Sequence, residues 1–119
     1  MGNIEKITMS YKGIDYELAF NLNVMRDIQN EYGSMQAWTD KTSEGEEANI
    51  DALIFGLGHA INEGIEIYNE EHEGEADFTP RQILNEKQIG RLISNVGLSQ
   101  TAEKIHKSMV EATKSDDPN

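Results

Sequence analysis

Ile50, Leu53, Ile54, Leu57, Ile61, Ile65 and Tyr68 fall at helical spacing along the middle of the chain. A stripe this long predicts a helix from about Asn49 to Glu70 with one face buried along most of its length. The chain has 119 residues, enough for one core and not for two, so every other element must gather on that stripe. Gly56, Gly58 and Gly64 lie inside the same segment. Each costs about 1 kcal/mol relative to Ala in a helix, and such glycines are tolerated where another backbone must come close. Close packing against a helix or the hairpin is the expected reason, and a kink near Gly56 to Gly58 is the competing one.

Residues Ile4 to Phe20 read as a β-hairpin. Ile7, Met9 and Tyr11 alternate with Thr8 and Ser10, and Ile14, Tyr16, Leu18 and Phe20 alternate with polar residues apart from Ala19. A two-residue turn at Lys12-Gly13 opposes Tyr11 to Ile14 and puts both apolar sets on one face. A lone hairpin is marginal in water, so this face must pack on the helices.

A first helix is predicted over about Leu22 to Tyr32, capped by Asn21 or Asn23 and stopped at Gly33. Ser34 can cap a short helix carrying Met35 and Trp38. Thr39 to Ala48 lacks a buried pattern and reads as an acidic loop, and Glu71 to Asp77 as a second. Thr79-Pro80-Arg81-Gln82 has the form of a helix start, with a possible break near Asn85 before Ile89, Leu92, Ile93 and Val96. A last helix is expected from Ser99 to about Thr113. Its stripe of Leu98, Ala102, Ile105, Met109 and Ala112 is narrow, suited to lying across one partner. The fold class is therefore mainly α (α+β), an N-terminal β-hairpin packed on a bundle of about four helices. Residues 1–114 form one domain and 115–119 a disordered tail.

The net charge of −12 is uneven. Asp40 to Asp77 holds twelve acids and one base, a balance of −11, whereas Phe78 to Lys114 has a balance of +3. Nucleic-acid binding is disfavoured by such acidity, while contact between copies of the chain is permitted. With no cysteine, disulfides and thiolate zinc sites are excluded. No apolar run approaches the roughly 18 residues of a membrane span, and Met1 to Lys6 lacks the form of a secretion signal. A cytoplasmic protein is expected.

No catalytic motif stands out. His59, His72 and His106 form neither HExxH nor an i, i+4 pair, and no nucleophile elbow, GxGxxG after a strand or phosphate loop is present. Glu63 and Glu66 share a helix face and could hold magnesium through two oxygens. All-α nucleotide pyrophosphatases use two such pairs, the second ending in Asp, and here Glu66-Ile67-Tyr68-Asn69 ends in Asn. A solvated helix face explains these carboxylates more simply. No metal or cofactor is expected. The pattern marks Trp38, Leu98, Ile105 and Met109 as the candidate partner face.

Three segments carry a family resemblance. Phe20 to Gly33 (FNLNVMRDIQNEYG) resembles the segment after the hairpin in tail assembly chaperones of long-tailed phages and prophages of Firmicutes. Ile61 to Glu71 (INEGIEIYNEE) looks like their central helix and acidic loop, and Ile89-Gly90-Arg91-Leu92-Ile93 is similar to the helix that follows. The resemblance implies a hairpin on a helical body and no enzyme activity. It implies a chaperone in the bacterial host cytoplasm that binds the tape-measure protein and helps recruit tail-tube subunits. The alternatives are a magnesium-dependent nucleotide pyrophosphatase and a structural tail or connector subunit.

Overall fold

The computed structural model describes residues 6–43 and 48–115. Expectations for Ile4, for the acids Glu44, Glu46 and Glu47, and for residues 116–119 lie outside that range. In chain order the described elements are β1 (Thr8–Tyr11), β2 (Ile14–Glu17), α1 (Leu22–Tyr32), α2 (Met35–Thr42), α3 (Ile50–His72), α4 (Glu86–Val96) and α5 (Leu98–Ser115). This is the expected mainly helical fold with a hairpin packed on helices.

The hairpin has the predicted register. Tyr11 opposes Ile14 and Met9 opposes Tyr16, and Leu18 N–H donates to the Ile7 carbonyl at 2.8 Å to extend the ladder. Lys12 and Gly13 both have positive φ, 54° and 80°, the primed turn whose twist matches that of the strands. Ile7, Met9, Tyr11, Tyr16, Leu18 and Phe20 are buried on one face.

α3 is the spine, and its glycines explain how the hairpin sits. A Cβ on Gly64 would collide with the backbone carbonyl of Glu17, and one on Gly56 would enter the Trp38 ring. Gly58 would meet only an ordinary contact, Ile89 Cγ1 at 3.6 Å. Where Gly64 lets the backbones meet, Ala19 N–H donates to the Ala60 carbonyl at 3.1 Å. That oxygen has a second lone pair to offer beyond its helical bond. α3 runs unbroken from Ile50 to His72, so close approach accounts for Gly56 and Gly64.

The expected helix start at Thr79-Pro80 is overturned. Residues 78–85 form no regular element; they run as a strap along α3. Asn69 donates from Nδ2 to the Arg81 carbonyl at 3.0 Å and accepts from Arg81 N–H at 2.9 Å. Asn62 does the same to Leu84, at 3.0 and 2.8 Å. Seven helical residues span about 10.5 Å, close to the roughly 10 Å covered by three extended residues. The two spacings match, so two side-chain amides take the backbone bonds that a helix would otherwise use. Arg81 adds its guanidinium over the Tyr68 ring at 3.8 Å, a cation–π contact. The capping box belongs to Asn85 and Gln88, whose reciprocal bonds are both 2.8 Å, and α4 starts there.

Two further expectations change. Residues 39–42 belong to α2 rather than a loop, and Thr42 and Ala48 are buried. α5 runs past its expected end near Thr113 to Ser115, a residue expected in the tail.

Candidate functional site

Two of the four residues singled out as a partner face are enclosed within the fold. Trp38 and Ile105 are 0% exposed. Trp38 Nε1–H donates to the Ala52 carbonyl at 2.9 Å, and its ring packs against Phe20 and His106, each at 5.8 Å between centroids. Leu98 and Met109 are half-buried and packed on the core. The narrow stripe of α5 faces its own chain, where α5 packs against α3 and α4. Trp38 and Ile105 are therefore packing residues. Among the described residues, the large apolar side chains left exposed are Leu22 at 76%, Ile83 at 57%, Ile50 at 56% and Val110 at 49%.

A cleft of about 450 Å³ lies between α1 and α3, lined by Asn23, Arg26, Asp27, His59, Asn62, Glu63 and Glu66 among others. It gathers the two carboxylates that could have held magnesium. Glu63 Oε2 accepts from Asn21 Nδ2 at 2.8 Å and from Asn23 Nδ2 at 3.1 Å, which pins the start of α1 to α3. Asn21 also caps α1, its Oδ1 accepting from Val24 N–H. Glu66 stays exposed. Among the described residues no three His, Asp or Glu side chains converge on a point that could hold a metal ion.

His59 places Nδ1 3.0 Å from Asp27 Oδ2 and stacks on Phe55 at 4.3 Å. A carboxylate on Nδ1 orients an imidazole for acid–base work. The cleft lining contains no Ser, Thr or Cys to serve as a nucleophile beside it. The pair is also two-fifths exposed on both sides. Its structural role is to join α1 to α3.

The other histidines are committed to packing. His72 bonds Glu75 at 3.0 Å and stacks on Tyr68 at 4.2 Å, closing the end of α3 against the strap. His106 Nε2 lies 2.8 Å from Thr42 Oγ1. The single hydroxyl hydrogen of Thr42 goes to the Trp38 carbonyl at 3.0 Å, so we assign Nε2–H as the donor to Thr42. Burial holds the His106 imidazole below its ordinary pKa, consistent with that neutral tautomer.

Asn62 and Asn69 escaped the sequence reading. Their one signal was a seven-residue spacing on the polar flank of the apolar stripe. No model of a known protein family, no curated protein and no solved structure matches the chain.

Proposed function

We propose that this protein is a non-enzymatic tail assembly chaperone that binds a tape-measure protein and helps recruit tail-tube subunits. The observation that carries the reading is where the three resembling segments fall. They make up α1, most of the second half of α3, and the core-facing part of α4, and α3 packs against both other helices. A hairpin on a helical body is also the architecture that the resemblance implies.

The partner-facing chemistry moves from the buried pair Trp38 and Ile105 to exposed apolar side chains. Leu22 opens α1, Ile83 projects from the strap and Val110 lies on the outer side of α5. Each offers apolar surface on a strongly acidic molecule, a combination that supports covering a partner's apolar stripe while resisting aggregation.

Co-expression with tape-measure and tail-tube proteins encoded beside this chain tests the reading. A soluble complex is expected, weakened by Leu22→Asp or Val110→Asp in a domain that stays folded. Tape-measure solubility indifferent to the protein would sink it. Recovery of the protein in purified particles would favour a structural subunit instead. Magnesium-dependent pyrophosphate release, lost in Glu63→Gln, would favour the enzyme.

A further inference from the structure

We propose that the groove between β1 and α5 is a docking site for the acidic turn at the end of α3 of a second copy, so that copies associate head to tail. This stands independently of the chaperone reading.

The groove has a volume of about 430 Å³ and is lined by Lys6, Ile7, Thr8, Gln100, Glu103, Lys104 and Lys107. Three lysines and one glutamate line it in a chain of −12, with Lys6 Nζ 3.9 Å from Glu17 Oε1. Its floor is the outer edge of a two-stranded sheet. Odd-numbered β1 residues pair with β2 through the ladder, so the main chain of exposed Thr8 and Ser10 turns outward. Lys104 Nζ already reaches the Thr8 carbonyl at 3.2 Å, covering that acceptor and leaving the Thr8 N–H beside the ammonium groups. Such a surface suits carboxylates.

The same chain carries a matching acidic feature. Glu70, Glu71, Glu73, Glu75 and Asp77 are all exposed. Among the described residues, His72 on Glu75 is the one basic side chain that pairs with any of them. The turn is shaped by Glu75 N–H on the His72 carbonyl and Phe78 N–H on the Glu75 carbonyl, so its acids project from a defined scaffold. α3 lies along the β2 side of the hairpin and the lysines along β1. Donor and acceptor surfaces thus differ, and the contact is heterologous, able to repeat from copy to copy. The symmetric alternative, β1 pairing with β1 of a second copy, would bring two sets of lysines together, as edge lysines do when they block such pairing.

Long-range repulsion between two acidic molecules opposes the contact at low salt, and screening of the contact itself opposes it at high salt. The Debye length falls from about 10 Å at 0.1 M to about 3 Å at 1 M, so association is expected to peak near the first and vanish near the second.

Sedimentation equilibrium of the full chain tests this. The weight-average mass should rise above the monomer's 13.4 kDa with concentration at moderate salt. Lys104→Glu/Lys107→Glu and Glu70→Lys/Glu73→Lys should each stay monomeric while circular dichroism shows a native helical signal. Mixing the two variants should restore association, because one supplies the acidic turn and the other the basic groove. A wild-type mass of 13.4 kDa at every concentration and salt, self-association persisting in either variant, or a mixture of folded variants that stays monomeric would each overturn the proposal. So would a groove that binds a poly-glutamate peptide while the wild-type copies remain apart.

Discussion

Asn69 holds the peptide backbone of Arg81 with both ends of its side-chain amide, 3.0 Å to the carbonyl and 2.9 Å from the N–H. Asn62 repeats the grip on Leu84 two turns earlier. Each half-buried grip satisfies one main-chain donor and one acceptor that have no other partner in regular structure. Asn69→Ala and Asn62→Ala should each destabilise the fold by about 1–3 kcal/mol. Asn→Asp should also destabilise it, because a carboxylate accepts from the N–H but repels the carbonyl. Urea denaturation of the four variants, Ala and Asp at each position, checks the losses.

The glycines of α3 separate into two kinds. Gly64→Ala should destabilise by about 1–3 kcal/mol, since a Cβ collides with the Glu17 carbonyl and backbone cannot step aside as a side chain can. Gly58→Ala meets only an ordinary contact and should stabilise by up to about 1 kcal/mol through helix propensity. Opposite shifts in melting temperature are the expected outcome, and shifts of the same sign would contradict the packing described.

Ile105 and Val110 lie five residues apart on α5 with opposite burial. Ile105→Ala should cost about 2–5 kcal/mol by opening a cavity. Val110→Asp should stay within about 0.5 kcal/mol of the wild type. Chemical denaturation followed by the fluorescence of Trp38, the one tryptophan in the chain, measures both.

Acid should weaken the fold through His106. Burial lowers its pKa from the ordinary 6.5, so the folded state binds fewer protons than the unfolded one. The contribution is fully present above the unfolded value, declines as pH falls through it, and levels off below the lowered folded value. His106→Gln keeps a donor toward Thr42 without a titrating ring. The difference in stability between wild type and this variant should change between about pH 7 and pH 5 in the variant's favour. A constant difference would show that His106 has no part in acid sensitivity.

Local patterns were legible where local forces decide. Alternation and Lys12-Gly13 fix the hairpin register, because a two-residue turn leaves one pairing that buries Met9, Tyr11 and Tyr16 together. Asn21 and Ser34 cap their own helices through bonds to residues three positions on. The strap was not legible, because Thr79-Pro80-Arg81-Gln82 carries a sound helix-start signal and loses to Asn62 and Asn69, ten to twenty residues away. Trp38 and Ile105 misled for a related reason. An apolar stripe announces that it will be covered and is silent on whether the cover comes from the same chain.

The backbone bond between Ala19 and Ala60 has a consequence for synthesis. The hairpin leaves the ribosome before α3, and the Gly64 notch that seats it is translated about 45 residues later. At roughly 5–20 residues per second, that interval is about 2–9 s. Throughout it the nascent chain carries an apolar ribbon with unpaired strand edges and no α3 notch to dock in. The ribbon lies in a stretch before Asp40 that carries only −2, and the dense run of carboxylates that follows arrives together with the helix that finally shelters it.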